Sequence, residues 1–269
     1  MRVALALAGA LTPRPRSGRL AGRLASLLGV ARSLWIYYGH PGQLRRMRRL
    51  YGQLLRPDDL AFDVGAHVGS RTLVWARLGA RVVAVEPVPE AMRVLRLLYG
   101  HHPRVALVQA AVGRQPGWLP MLVSEREPTV STLSSDWAER MLHERHAFAR
   151  TRWGHSVLVP VTTLDALIAR YGRPAFCKID VEGYDLEVLE GLSEPLPALS
   201  FEYVPPAVDL ALACLDRLAA LGRYTFNWSD GESMQLRWPE WVDAATLVSY
   251  LHDYPAQGHP GDVYARLVG

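Results

Sequence analysis

The stretch that most constrains this chain is Asp63-Val-Gly-Ala-His-Val-Gly69. Before it, Leu60-Ala-Phe-Asp-Val64 is short, apolar and strand-prone, as expected for a parallel strand buried on both faces. After it, Ser70 to Leu78 reads as a helix ending near Gly79. Strand, glycine turn and helix in succession open a nucleotide-binding α/β sheet. The glycines let the backbone turn tightly and let a ligand approach it closely. The spacing D-x-G-x-x-x-G departs from the dinucleotide G-x-G-x-x-G and favours a ligand without phosphates. A plain strand–helix turn would use the same residues, so a second signal is required.

The next strand supplies it. Ala80-Arg-Val-Val-Ala-Val-Glu86 is a β-branched run that ends in an acid 17 residues past Gly69. An acid at the carboxyl end of the second strand can accept hydrogen bonds from both ribose hydroxyls of an adenosine. A third strand is expected over residues 105–109. Ala110 and Ala111 after it leave room for a flat base, although ordinary close packing uses small residues too.

In Lys178-Ile-Asp180-Val-Glu182-Gly183 charged and apolar residues alternate. On a strand, 178, 180 and 182 share one side, and three such charges must pair or face a cavity. Of the 30 basic residues, Lys178 is the sole lysine, which argues for a chemical requirement for a compact ammonium that Arg could not meet. Lys178, Asp180 and Glu182 are therefore the candidate catalytic residues. Either acid could remove a proton or orient the group that does, and Lys178 could stabilise developing negative charge. Two nearby carboxylates also suit a divalent cation. Glu202, at the end of the following strand, is a candidate at the same rim.

The motifs DVGAHVGS, VVAVEPVPE, VPVTTLDALI and CKIDVEGYDLEVLEGL, in that order over about residues 55–205, resemble the FkbM family of S-adenosylmethionine-dependent methyltransferases. The resemblance implies a class I, Rossmann-like α/β fold with a mostly parallel seven-stranded sheet and helices on both faces. It implies S-adenosyl-L-methionine as cofactor, held by Asp63, Gly65, Ala66, His67, Gly69, Glu86, Pro87, Ala110 and Ala111. At the place of His67 the family often carries Asn. It also implies O-methylation of a hydroxyl on a small molecule or a glycan or glycolipid. A nicotinamide-dependent oxidoreductase is disfavoured by the glycine spacing and by the lack of Tyr-x-x-x-Lys, since Pro174 precedes Lys178 by four. A non-catalytic binding module is disfavoured by the intact turn, acid and KIDVEG.

Charge divides the chain. Residues 1–57 hold 11 Arg and no acid, while the remainder carries 19 basic residues against 26 acids. A basic helical arm is thus expected to precede a methyltransferase domain over 58–269. Leu20, Leu24, Leu27, Leu28 and Ala31 mark one amphipathic helix of the arm, and Leu44, Met47, Tyr51, Leu54 and Leu55 a second. Such helices are expected to dock on the sheet with their arginines in solvent. A lid role or peripheral contact with an anionic membrane is the alternative, and nucleic-acid binding is not expected.

Residues 125–155 break the strand–helix rhythm and read as a cap. Ser131 and Thr132 are its candidate substrate contacts. His143 and His146 stand three apart with no third ligand nearby in sequence, and they read as a solvated helix face. Met1–Leu11 is a poor secretory signal, no run is long enough to span a membrane, and Cys177 and Cys214 form no disulfide framework. A cytoplasmic protein is expected.

Overall fold

The computed structural model describes residues 41–124, 131–143, 153–254 and 258–268. The first arm helix expected around residues 20–31 and the segments 125–130 and 144–152 of the expected cap, with His146, lie outside these residues. In chain order the elements are α1 (Pro41–Tyr51), β1 (Leu60–Val64), α2 (Ser70–Arg77), β2 (Arg81–Val85), α3 (Pro89–Tyr99), β3 (Val105–Val108), β4 (Ala111–Val112) and β5 (Gly117–Ser124). There follow α4 (Ser135–His143), β6 (Trp153–Thr162), α5 (Leu164–Tyr171), β7 (Phe176–Ile179), α6 (Asp185–Glu190) and β8 (Ala198–Tyr203). The last elements are α7 (Val208–Leu221), β9 (Tyr224–Asp230), α8 (Ala244–Asp253) and β10 (Gly261–Leu267).

The main sheet has seven strands in the order β3-β2-β1-β7-β8-β10-β9. All its pairings are parallel except those of β10, which runs antiparallel to both β8 and β9. The winding reverses at β1, which pairs with β2 on one side and β7 on the other, aligning Asp63 with Lys178. In open α/β sheets this reversal leaves a crevice beyond the carboxyl ends of the strands. A smaller sheet, β4-β6-β5, stands beside it.

Alternation along the buried strands serves two cores. Phe62, Val83, Val85, Cys177 and Ile179 face α5, α6, α7 and α8. Ala61, Val82 and Phe176 face α1 and α2, with Met47, Leu50, Tyr51, Trp75 and Tyr264 in the same cluster. Tyr51, Trp75 and Phe176 meet at ring distances of 5.2 to 5.8 Å. Helix α1 is thus part of the core, and Arg45, Arg46, Arg48 and Arg49 point to solvent as its apolar spacing requires. Among the described residues no helix is long and apolar enough to cross a membrane.

Two local expectations are corrected. Ser233 to Trp238 reads as a strand from its sequence but forms none, because β9 pairs with β10 on one side and is met on the other by a bridge from Phe226 to Val242. Asn227 instead holds the returning chain, its side chain bonding both the N–H and the carbonyl of Trp238. Strand β7 ends at Ile179, two residues earlier than the expected Val181, because the chain turns there into a loop with Glu182 at φ 55° and Gly183 at φ 80°.

Met47 is fully buried against the aromatic cluster. Met47→Ala should destabilise the protein by about 2–5 kcal/mol, the range for truncating a core side chain. Urea denaturation measures this, and a loss below ~1 kcal/mol would make α1 a peripheral attachment.

Candidate functional site

Two cavities open beyond the carboxyl ends of β1, β2, β7 and β8. One is a slot lined by Glu86, Pro87, Val88, Ala110, Ala111 and Met121, with Ser131, Leu133 and Tyr184 on its far side. The other is a lobe of about 470 Å³ bounded by Arg71, Glu202, Asp230–Glu232 and His259–Asp262. Gly65, His67, Asp180 and Glu182 line both, so the cavities adjoin along these four residues.

The glycine turn builds the junction. Gly65 adopts φ 82°, and a Cβ there would stand 1.8 Å from the carbonyl oxygen of Asp180, so only glycine lets the β1 and β7 loops meet. The Gly65 and Ala66 N–H groups both donate to Val85, which fixes the loop over β2. Gly69 has a different task. It lines neither cavity, and a Cβ there would strike Tyr99 and Leu95 of α3. Asp63 also lies behind the turn, buried, accepting a 2.5 Å hydrogen bond from the Thr72 hydroxyl.

Glu86 accepts hydrogen bonds from the backbone N–H groups of His67 (2.8 Å) and Val88 (2.7 Å). Burial outweighs these donors and lifts its carboxyl to about 7. Burial likewise pushes His67 down to about 4, so its ring stands neutral at the junction.

Sequence reasoning set Lys178 at the reaction centre. The structure seats it one layer behind: it is fully buried and lines neither cavity. Its side chain leaves β7 on the face of Phe176, and its ammonium lies 2.8 Å from Asp262 and 3.3 Å from Asp180. Burial alone would lower its pKa, but the two carboxylates prevail and hold it charged. Asp180 and Glu182 do reach the cavities, though not by strand alternation, since both follow the end of β7.

The carboxylates are driven apart. Burial would raise Asp180, but Lys178 and Arg71 hold it below the usual carboxylate range. Glu182 is pushed well up by burial and by the Asp180 and Asp185 charges. Glu202 is pushed well up by burial and by Glu182. Oxygens of Asp180, Glu182 and Glu202 lie within 4.8 Å of one another.

The described part of the expected cap braces this loop from behind. Thr132, fully buried, lines neither cavity, and its hydroxyl donates to the Glu182 carbonyl (2.6 Å). Trp137 of α4 packs where a Cβ on Gly183 would come within 2.1 Å, so α4 and the 182–183 loop require each other. Ser131, the other candidate substrate contact of the cap, lines the slot and not the lobe.

Sequence reasoning missed Arg71, Asp262 and Glu232. Arg71 reaches Asp180 and Glu232, each at 3.7 Å, and Glu232 also accepts from Gln43 of α1 at 3.0 Å. Arg71 had a readable signal, as an arginine in the first turn after the glycine loop. Asp262 and Glu232 had none, because the sheet order alone brings them here.

The sheet order, the cavity pair at the strand reversal and the acid after β2 are those of a class I, Rossmann-like methyltransferase. The chain belongs to the methyltransferase FkbM domain family, whose model matches residues 63–206, more than half of its length. Among solved structures it is similar to an O-methyltransferase from Bacillus cereus in complex with SAH, at 14% identity and TM-score 0.47, over 100% of this chain and 98% of that one. A precorrin-6y C5,15-methyltransferase from Geobacter metallireducens is similar at 12% identity and TM-score 0.42, over 83% and 87%. A TehB-like SAM-dependent methyltransferase from Corynebacterium glutamicum is similar at 10% identity and TM-score 0.42, over 83% and 88%. The comparison with curated proteins gives no match.

Lys178→Met should leave Asp262 without a counter-ion and Asp180 with Arg71 alone, and destabilise the fold by about 3–5 kcal/mol. Chemical denaturation checks this. A variant of unchanged stability would show that Lys178 is not what neutralises the pair.

Proposed function

We propose that the protein transfers a methyl group from S-adenosyl-L-methionine to a hydroxyl of a small molecule or glycan. The observation that carries the reading is the adjacency of the two cavities along Gly65, His67, Asp180 and Glu182. The slot suits an adenosyl group: Glu86 offers a carboxylate for ribose hydroxyls, and Ala110 and Ala111 leave a flat gap among apolar side chains for a base. When bound, S-adenosyl-L-methionine supplies an electrophilic methyl group.

The chain's own task is to hold the acceptor in line and to take its hydroxyl proton. Glu182 is assigned as the proton acceptor. It borders both cavities, and burial with the neighbouring Asp180 and Asp185 charges makes it hold a proton more strongly than an ordinary glutamate. Asp180 stays ionised between Lys178 and Arg71 and is suited to orient the hydroxyl by accepting a hydrogen bond. His67, uncharged, adds no repulsion against a cationic sulfur. No step requires a metal ion, and none is assigned. The basic face of α1 leaves peripheral contact with an anionic membrane as a secondary role, read out by vesicle sedimentation.

Glu86→Ala should weaken S-adenosylhomocysteine binding by about 1–3 kcal/mol, as for loss of a charge-assisted contact. The ionised carboxylate is the better acceptor, and burial places half-protonation of Glu86 at about 7. Wild-type affinity should therefore rise from about pH 6 to about pH 8 and flatten beyond, and Glu86→Gln should lose that rise. Calorimetry across the range measures both. Equal affinity for wild type and Glu86→Ala would remove Glu86 from the site.

A further inference from the structure

The 470 Å³ lobe is of the size that takes a small organic ligand. Its wall is unusual in charge. Asp180, Glu182, Glu202, Asp230, Glu232 and Asp262 all line it, while among the described residues the only lysine or arginine on it is Arg71. Lys178 acts from behind the wall. Among the described residues six acidic side chains face these two cations, and Glu182 and Glu202, which burial and each other drive toward the protonated form, ionise more readily when a further cation arrives.

The pairing shows which carboxylates remain. Asp262 is held by Lys178, Asp180 by Lys178 and Arg71, and Glu232 by Arg71 and Gln43. Asp230 accepts from the Tyr254 hydroxyl at 2.9 Å. Among the described residues, no ion pair joins Glu182 or Glu202 to a cation, and Oε2 of Glu202 is buried without a hydrogen-bond partner. A buried acceptor in that position calls for a donor.

On the methyltransferase reading above, we propose that the acceptor is a hydroxyl compound carrying a protonated amine, with the amine seated on Glu202 and the hydroxyl toward Asp180 and Glu182. An ammonium has three donors and no acceptor. Glu202 Oε2 can take one, and the oxygens of Asp180 and Glu182 within 4.8 Å keep a neighbouring hydroxyl within reach of the transfer site. Acceptors bearing a carboxylate or phosphate would meet like charge on the wall. The zwitterionic methionyl end of the cofactor contributes no net charge, and its sulfonium offsets one of the surplus negative charges. Asp180, Glu182 and Glu202 lie within residues 63–206, while Asp230, Glu232 and Asp262 add to the acidic wall from the carboxyl-terminal part of the chain.

The test titrates the full-length protein, with and without S-adenosylhomocysteine, with D-glucosamine, D-glucose and D-glucuronic acid, which share a ring and differ in charge. Binding is followed by protein-observed NMR. Glucosamine should bind at least about tenfold tighter than glucuronic acid, the scale of one uncompensated charge at a partly buried site. Glu202→Gln should narrow that ratio while S-adenosylhomocysteine still binds. Preference for glucuronic acid, or no preference among the three, overturns the proposal. So does saturable binding of magnesium or calcium alone that Glu202→Gln abolishes, because the carboxylates would then serve a metal ion. Failure of S-adenosylhomocysteine itself to bind would strike the methyl-transfer reading instead, while the sugar titrations without it still report on the lobe.

Discussion

The structure depends on one buried ammonium. Lys178 sits at the centre of the sheet, fully enclosed, between a carboxylate at the end of β7 and another on β10. Charges cannot be buried there singly, so the lysine and both acids must arrive together or the sheet interior carries an uncompensated ion. Asp262 comes from the last strand of the chain, paired across from Glu202 of β8. The ammonium therefore couples the closing of the sheet to the placement of Asp180 at the cavity junction. The chain's sole lysine stands here, where a compact ammonium is enclosed between two carboxylates and a wider, forked guanidinium would need more room.

From this centre the acids acquire different characters. Asp180 has two cations beside it and is held ionised, whereas Glu182 and Glu202 have mainly burial and one another and are driven toward the protonated form. Divergent proton affinities among neighbouring groups are what a proton-transfer site requires. Much of the divergence is set from outside the loop that carries Asp180 and Glu182. Arg71 stands on α2, Gln43 on α1 steadies Glu232, and Thr132 and Trp137 hold the Glu182–Gly183 turn from behind. Helix α1 and the described part of the insertion thus both bear on the junction: α1 and Thr132 and Trp137 support the loops, while Ser131 and Leu133 line the slot.

The sequence alone determined the backbone of the site. Glycine at 65 and 69, the acid at 86 and the apolar run at 60–64 are local requirements of a strand, a turn and a close approach, so they are visible in order along the chain. Even so, one pattern held two meanings. Gly65 lines both cavities, while Gly69 lines neither and combines a left-handed turn backbone at φ 80° with room for Tyr99 and Leu95 of α3, a distinction that spacing cannot make.

Only the tertiary structure decided which charges meet. The alternation in KIDVEG predicts three charges on one side, but β7 stops at Ile179 because the following loop must turn, with positive φ at Glu182 and Gly183, against Trp137. Lys178 is then turned into the sheet while Asp180 and Glu182 go to the cavities. Asp262, Glu232 and Arg71 come from three separate elements, and no periodicity links them. Their meeting is fixed by strand order, a long-range property. The pKa values that distinguish the acids follow from burial and from those distant partners, neither of which a linear pattern records.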